Sequence, residues 1–369
     1  MLTIVVLLVS FAWSFVYVGL PFYIEHITTV GTAATLAWTG WILGVTSLVS
    51  MATTPLWGRY GSRGDTRSVF VVMQTLQALG FLAAALAGSL VELFLARVVL
   101  GAIGATSTLA FMVASREPEP SERRHRLGMI QSATMGGQVL APLVGAAAAA
   151  RLGFRVSFLL GGLMLGGCAA LLQWGNLRIL PPPEPISGAR HRLPVQTVAM
   201  TAAVVLVGSA QEAFLASVLP GVLPGLGVPP RAMLEVGGML IFVSGVAGAV
   251  GGLLAPRLAD QVHHRRLLPA LLTASSVGLV LLGAAGSIWL YTTLRIIQSL
   301  AIAPLFPLVV GRIAHHGGGE AIGILNAARA GGSFVGPVVA TSLLAWGPPS
   351  VVYLLLGVAG LAAVPLTRR

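Results

Sequence analysis

Long apolar stretches recur along the whole chain and are separated by short breaks that contain arginine or proline. An α-helix needs about 20 apolar residues to cross a bilayer core about 30 Å thick. Hydrophobic residues make up 56% of the chain and charged residues 9%, whereas about a quarter of a soluble domain is charged. A transmembrane β-barrel would show alternating segments of about ten residues, and none are visible. The chain is therefore expected to be an all-α membrane protein.

Twelve transmembrane helices are predicted from these apolar stretches. They lie at 2–24, 33–57, 68–88, 91–114, 127–150, 154–176, 195–223, 232–255, 267–287, 289–311, 321–345 and 349–366. All 22 basic residues are arginine; 16 fall in loops on the side of the two termini, three lie in or at the edge of loops on the other side, and three lie deeper within spans. Because positively charged loops stay in the cytoplasm, both termini are predicted to be cytoplasmic in a multi-pass protein of the cell inner (plasma) membrane.

The net charge of +11 does not indicate a nucleic-acid partner. The arginines are dispersed between apolar stretches, whereas phosphate neutralisation needs clustered cations. No nucleophile–base pair or metal-ligating cluster occurs within a span, which argues against an enzyme and against a metal site. We expect no cofactor, and a monomer whose partners are a small-molecule substrate, protons and the lipid bilayer.

The two halves of the chain repeat each other. Residues 127–145 align with 322–340, residues 14–21 align with 213–220, and Arg97 aligns with Arg295. A proline-rich segment at 177–194 reads as a cytoplasmic linker between a six-helix bundle at 1–176 and another at 195–369. Parallel six-helix repeats are typical of one transporter fold, in which the substrate site lies near the midplane between the halves.

Several motifs carry a resemblance to a known family. They are "GRYGSRGDTR" at 58–67, "RVVLGAIGA" at 97–105, "GQVLAPLVGA" at 137–146 and "YVGLPFYI" at 17–24. Over essentially its whole length the chain resembles the major facilitator superfamily, and within it the 12-helix drug:proton antiporters. The resemblance implies the major facilitator fold, with 12 transmembrane helices in two pseudo-symmetric six-helix bundles, and favours export.

The first loop motif departs from the family pattern. In the family an acid at this loop caps a helix and pairs with arginine across the inner gate, but here Ser62 occupies its position. Asp65 would have to serve from a shifted position, whereas Asp260 keeps the matching place in the second half. Glycine allows helices to pack closely and proline allows them to kink, so these positions are predicted to act in gating. The alternative is that they serve only for tight packing. The predicted gating residues are Gly58, Arg63, Asp65, Arg67, Gly137, Pro142, Asp260, Gly332, Gly336 and Pro337.

Glu212 is the one acid deep within a predicted span. A charged carboxylate at the bilayer centre costs at least ~2.5 kcal/mol, so it should face a cavity or a partner, or be protonated. Burial raises its pKa and a nearby cation lowers it, which would let alternating access load and release a proton. The alternative is a permanently paired structural acid.

The depth of Glu212 along its helix suggests a partner. Measured at 1.5 Å per residue, Arg329 falls at nearly the same level, so the two residues are predicted to approach each other in at least one conformation. Gln211 and Asn326 are their predicted hydrogen-bonding companions. The family resemblance suggests that Arg97 and Arg295 act in the proton path. The alternative is that they serve in helix packing or extend their charged ends toward the membrane surface (snorkelling).

A substrate cavity is predicted from aromatic, methionine and amide side chains, because such groups bind varied lipophilic molecules by contact area. Simple helix packing is the alternative for each. The candidates are Trp13, Tyr17, Gln131, Met135, Gln211, Phe214 and Asn326.

These features favour a proton-driven exporter of lipophilic or amphiphilic small molecules that works by alternating access. A proton-coupled importer of a polar solute, such as a sugar or organic acid, would need more hydrogen-bonding side chains on helices one, four, seven and ten. A dedicated exporter of a siderophore, lipid or metabolite stays open, while a receptor without transport is disfavoured by gating motifs in both halves.

Overall fold

The computed structural model describes residues 1–63, 65–175, 194–261 and 264–367. In these residues the regular secondary structure is helical throughout, which confirms the all-α prediction. The chain divides into two compact units: unit 1 comprises Met1–Thr28 and Leu48–Ser187, and unit 2 comprises Thr29–Ser47 and Gly188–Arg369. The predicted linker, apart from Pro194, lies outside the described residues, and the bundle boundaries stay a prediction.

Eight helices precede the linker, the third of which is shared between the units. They are α1 (Leu2–Tyr17), α2 (Leu20–Ile27), α3 (Thr32–Arg63), α4 (Thr66–Leu86), α5 (Leu90–Ala102), α6 (Thr106–Ser115), α7 (Pro120–Leu152) and α8 (Phe154–Trp174).

Seven helices follow the linker, all in unit 2. They are α9 (Val195–Ala213), α10 (Leu215–Val222), α11 (Met233–Gln261), α12 (His264–Leu282), α13 (Ile288–Ile302), α14 (Leu305–Trp346) and α15 (Pro349–Ala363). Over the described residues of both units, nine helices are long and apolar enough to cross a membrane, or ten if the bent pair α1–α2 counts as one span.

Four predicted spans are interrupted helices. The first bends by 42° between α1 and α2. The fourth breaks between α5 and α6, the seventh between α9 and α10 at Phe214, and the tenth between α13 and α14. These are spans one and seven, and spans four and ten, which are equivalent in the repeat. The residues at a break leave carbonyl groups without helical partners, and the site described below uses them.

Repeated capping residues start the equivalent helices α5 and α13. Ser89 accepts a hydrogen bond from the Glu92 amide, and Ser287 accepts one from the Leu290 amide. Each serine satisfies one of the amides that a helix start leaves unpaired. Residues 89 and 287 are separated by the same interval as Arg97 and Arg295, so the repeat extends to the caps.

Glycine lets α7 lie against α1 and α14 lie against α9 at backbone distance. A Cβ added to Gly137 would lie 2.6 Å from the Leu7 carbonyl oxygen. A Cβ added to Gly332 would lie 2.3 Å from the Leu206 carbonyl oxygen. Such close approach is typical of helix packing in lipid. The hydrophobic effect does not drive helices together there, and small residues allow the close van der Waals contact that does.

The helix α3 is divided between the units at Ser47. Its first half groups with unit 2, where a Cβ added to Gly40 would lie 2.9 Å from the Val338 Cα. Its second half groups with unit 1, where the Trp57 indole donates to the Ala102 carbonyl. The repeat pattern instead assigns the whole helix to the N-terminal bundle, because a repeat follows the chain and not the contacts.

Candidate functional site

Arg295 on α13 is a buried cation, with 4% of its surface exposed, that is surrounded by neutral groups. Its Nη1 donates to Oε1 of Gln298 over 2.6 Å, and its Nε donates to Oγ of Ser244 over 3.4 Å. Its Cζ lies 5.7 Å from the centroid of the Phe214 ring. Among the residues that the structure describes, no carboxylate pairs with this guanidinium. Hydrogen bonds and the ring face therefore stabilise the charge in place of a counter-ion.

The remaining contacts of Arg295 are with the end of α9. Its Nη1 donates to the Gln211 carbonyl over 3.4 Å, and its Nη2 donates to the Glu212 carbonyl over 3.3 Å. The carbonyls of the last helical turn have no partner within α9 and carry its negative dipole end. Arg295 donates hydrogen bonds to these carbonyls and places a positive charge at the negative end of the dipole. The end of α9 and the buried guanidinium therefore stabilise each other.

The Glu212 side chain lies on the exposed side of α9 while its carbonyl is held by Arg295. It is one helical turn beyond Gly208, whose face meets Leu305 and Ile302. Within the described part of the chain, the Glu212 carboxylate forms no ion pair. A charged carboxylate in a span faces water or a partner and not hydrocarbon. Glu212 therefore combines a fixed backbone with a side chain that can change partner.

A hydrogen-bonded chain of amides and hydroxyls extends from Arg295 through the interior of unit 2. Gln298 donates to Ser275 over 2.9 Å, and Ser275 donates to Gln211 Oε1 over 2.9 Å. The Gln211 amide nitrogen donates to Ser276 over 3.1 Å and to the Leu356 carbonyl over 3.0 Å. Gln211 is thus fully paired inside the unit.

Two of the predicted cavity residues, Gln211 and Phe214, are buried inside unit 2. Gln211 and Phe214 have no exposed surface, so neither lines an open cavity in this structure. The amide of Gln211 belongs to the internal chain, and the Phe214 ring packs between Arg295 and Tyr353, 5.7 Å from the tyrosine ring centroid. A polar or aromatic residue beside an acid on the same helix can point to the opposite face, which composition does not reveal.

Unit 1 holds an equivalent cluster around Arg97 on α5, also 4% exposed. Its Cζ lies 5.6 Å from the centroid of the Trp13 ring. The Trp13 Nε1 donates to Gln77 Oε1 over 2.9 Å, and Gln77 Nε2 donates to the Ile103 carbonyl at the α5–α6 break over 2.8 Å. Since Arg97 and Arg295 are both buried, the snorkelling interpretation is wrong for both.

The two clusters differ at one decisive position. The repeat that aligns 14–21 with 213–220 places Trp13 opposite Glu212. Arg97 lies near the ring of Trp13 itself, whereas Arg295 lies near the ring of Phe214 and bonds to the backbone of Glu212. In the sequence repeat, unit 1 therefore has Trp13 where unit 2 has Glu212. The ring beside the buried arginine comes from that position in unit 1 and from Phe214 in unit 2.

Arg329 and Glu212 do not form an ion pair in this structure, and their approach in at least one conformation stays a prediction. Gly332 meets the backbone of Leu206 and Ala210, which places Arg329 beside the residues before Leu206. Glu212 is thus about six residues, or about 9 Å, farther along α9. Among the described residues the guanidinium contact of Arg329 is the Phe306 ring, with Cζ 4.6 Å from its centroid.

The other predicted cavity residues occupy both exposed and half-buried positions. Trp13, Tyr17 and Met135 are half-buried, while Gln131 and Asn326 are exposed. Their contact with a substrate stays a prediction.

The loop motif after α3 has one capping acid. Asp65 accepts hydrogen bonds from the amides of Arg67 and Ser68 and from the Ser68 hydroxyl at the start of α4. The Ser68 hydroxyl, and then the two amides, hold the pKa of the Asp65 carboxyl below its usual value, although burial opposes this. Asp65 therefore caps a helix, as the family acid does, from its shifted position.

Arg67 joins the start of α4 to the end of α8. Its Nε donates to the Leu172 carbonyl over 2.8 Å, and its Nη2 donates to the carbonyls of Gln173 and Gly175. Asp260 in the second half is exposed near the end of α11. The surroundings of Gly58 and the side chain of Arg63 are outside what the structure describes.

The predicted helix kinks and close contacts lie where helices meet. Pro142 is inside α7 and Pro337 is inside α14. A Cβ added to Gly336 would lie 2.7 Å from the Ala210 carbonyl oxygen, one turn beyond the Gly332 contact. The role of these residues in gating stays a prediction.

Several polar residues of the two clusters were missed by sequence reasoning. Gln77, Ser244, Ser275 and Gln298 interrupt apolar spans and were not singled out. A signal existed for Gln298, because it lies three residues after Arg295 and residues at that spacing share a helix face.

Comparisons with known proteins agree with this architecture. The family model described as Major Facilitator Superfamily matches residues 2–234 and 201–369. The uncharacterized MFS-type transporter YuxJ of Bacillus subtilis (strain 168) is 24% identical over 340 residues, which cover 87% of this chain and 84% of that protein. The multidrug resistance protein MdtG of Dickeya zeae is 25% identical over 351 residues, which cover 90% and 84%.

Solved structures share the fold. The crystal structure of a D-xylose-proton symporter matches with a TM-score of 0.79 at 17% identity, covering 99% of this chain and 95% of that one. At this identity the match shows the fold alone. The major facilitator fold expected from the sequence is thereby confirmed.

Proposed function

Because the chain belongs to the major facilitator superfamily, we propose that this transporter is a proton-driven exporter of lipophilic or amphiphilic small molecules. Its place would be the cell inner (plasma) membrane, with cytoplasmic termini. The name of MdtG, a multidrug resistance protein, supports export of varied compounds by a relative of this chain.

The observation that carries the proposal is that Glu212 has its backbone carbonyl bonded to a buried arginine and its side chain exposed. Arg295 holds the Glu212 carbonyl, so the carboxylate is tethered within reach of a buried cation. Turning toward Arg295 would favour the charged form, and turning toward an apolar surrounding would favour the protonated form. Exchange between the two environments would take up a proton on the outer side and release it on the inner side.

Import of a polar solute is the second candidate, since the symporter with the same fold is a D-xylose-proton symporter by name. The hydrogen-bonding groups of unit 2 speak against it. Gln211, Ser275 and Gln298 are buried and bond to one another, so they are not presented to a sugar. Because these polar groups already bond to one another, unit 2 suits a lipophilic substrate better than a polar one.

Inverted membrane vesicles test the proposal, because their outer surface is the cytoplasmic face. Three dansyl amphiphiles of equal chain length, ending in sulfonate, hydroxyl or trimethylammonium, serve as probes. With an acidified lumen, we expect at least one probe to accumulate inside and to leave when a protonophore is added. Vesicles loaded with D-xylose should not release it faster than control vesicles.

Glu212→Gln should reduce the accumulation at least about tenfold, because the amide cannot carry a proton. Glu235→Gln is the matched control, since Glu235 is an exposed acid in the first turn of α11. Undiminished pH-driven accumulation in Glu212→Gln would contradict the proposal, as would faster D-xylose release from the loaded vesicles.

A further inference from the structure

Arg329 differs from the other arginine of unit 2 that lies in a predicted span. The Arg295 guanidinium donates to four acceptors inside the protein, whereas Arg329 is exposed. For Arg329, the structure gives a contact with the Phe306 ring at 4.6 Å and, in the described residues, no hydrogen bond from the guanidinium and no ion pair. Within the described part of the chain, its N–H groups therefore have no acceptor, and a ligand could supply one.

The position of Arg329 requires an explanation other than helix packing. It lies within a predicted transmembrane helix, where an unpaired cation facing hydrocarbon costs ~2.5 kcal/mol or more. The nearest candidate acid along α9, Glu212, is about 9 Å farther along the helix axis by the register of Gly332. An exposed arginine beside an aromatic ring suits recognition of an anion better than a structural ion pair.

The surroundings of the guanidinium supply both parts of an amphiphile site. The Phe306 ring lies 4.6 Å from the Arg329 Cζ and can stabilise the cation, while a planar guanidinium can make a bidentate contact with an oxyanion. Phe306 and Ala328 are partly buried apolar residues that pack on the core of unit 2. A ligand with an oxyanion head and an apolar body would meet complementary groups at both ends.

We propose that Arg329 and Phe306 bind the head group of the transported substrate, and that this substrate is an amphiphilic anion with a carboxylate, sulfonate or phosphate group. This inference rests on the proposed function and narrows its substrate class. It excludes lipophilic cations as the main cargo, because the site presents a cation. Glu212 keeps its separate task of carrying the proton.

Equilibrium binding in lipid nanodiscs tests the site without any pH gradient, so it is independent of proton coupling. The dansyl sulfonate and the dansyl trimethylammonium probe are titrated separately, and empty nanodiscs correct for partition into lipid. The wild type should bind the sulfonate at least about tenfold more tightly than the ammonium probe. Arg329→Gln should weaken sulfonate binding by about 10-fold or more, as expected for loss of a charge-assisted contact, and leave ammonium binding unchanged.

Two further variants separate recognition from folding. Arg329→Lys keeps the charge but loses the planar fork, so an intermediate loss of about threefold is expected. Arg231→Gln removes an exposed arginine outside the predicted spans and should leave both affinities unchanged. Phe306→Leu should weaken sulfonate binding while the nanodisc particle keeps its wild-type elution volume.

Three results would overturn the inference: equal loss of both probes in Arg329→Gln, unchanged sulfonate binding in that variant, or a wild-type preference for the ammonium probe. If sulfonate binding fails in this way while Glu212→Gln still abolishes pH-driven accumulation, the proposed function stands and only the substrate class is wrong. If Arg329 controls sulfonate binding but Glu212→Gln transports normally, the head-group site stands and proton coupling through Glu212 is wrong.

Discussion

At the scale of single residues, the structure shows how a cation can be buried without an acid. Arg295 places its donors on Gln298, Ser244 and two carbonyls at the end of α9. This arrangement leaves the Glu212 carboxylate uncommitted, which a permanent Glu–Arg pair would prevent. The neutral shell is therefore what makes a switchable acid possible in this unit.

Removing the guanidinium should lower the free energy of unfolding, because its hydrogen-bond acceptors would lose their donor. Arg295→Gln leaves the carbonyls of Gln211 and Glu212 without their donors, and we expect a loss of about 2–3 kcal/mol in the free energy of unfolding. Unfolding by dodecyl sulfate in mixed micelles measures it. Arg295→Lys should lose less, because the ammonium keeps the charge but reaches fewer acceptors. A loss no larger than that of the surface variant Arg231→Gln would contradict this account.

At the scale of helices, glycine at single positions determines how closely equivalent pairs approach. A Cβ added to Gly332 would lie 2.3 Å from the Leu206 carbonyl oxygen, whereas one added to its neighbour Gly331 would come no closer than 3.7 Å to any atom. In unit 1, a Cβ on Gly137 would lie 2.6 Å from the Leu7 carbonyl oxygen, and one on Gly136 would meet nothing within 4 Å. Each tight position thus has its own control beside it.

Alanine at the tight positions should separate α14 from α9 and α7 from α1. We expect Gly332→Ala and Gly137→Ala to lower the free energy of unfolding by about 1–3 kcal/mol, the usual cost of overpacking. Gly331→Ala and Gly136→Ala should be neutral or slightly stabilising, because alanine is the better helix former. The same dodecyl sulfate titration compares all four. Equal effects at tight and open positions would show that backbone contact is not what holds these pairs together.

The sequence predicted where helices lie better than where they break. Every predicted span is helical in the described residues, because apolar length is a strong local signal. The interruption at Phe214 was not predicted, since it depends on Arg295 reaching the last carbonyls of α9 from another helix. The approach of Arg329 to Glu212 stays a prediction for another conformation. In this structure the level of Arg329 along α9 is set by contacts such as Gly332 on Leu206, which no count along the chain gives.

At the scale of the whole molecule, the repeat is complete in backbone features and incomplete in charge. Capping serines, buried arginines and tight glycines occur in both halves, but Trp13 stands opposite Glu212. If one half carries the acid, one proton per transport cycle is the simplest stoichiometry. Together with an anionic substrate, that stoichiometry has an electrical consequence.

Exchange of one monoanion outward for one proton inward moves two charges across the membrane. Each charge contributes about 2.3 kcal/mol per 100 mV, so a potential of that size would add about 4.6 kcal/mol to anion export. In inverted vesicles without a pH difference, a lumen-positive potential set by potassium and valinomycin should therefore drive accumulation of the dansyl sulfonate. Exchange of a monocation for one proton would be electroneutral, so the trimethylammonium probe should not respond. Glu212→Gln vesicles control for passive entry, and sulfonate accumulation that ignores the potential would contradict either the single proton or the anionic cargo.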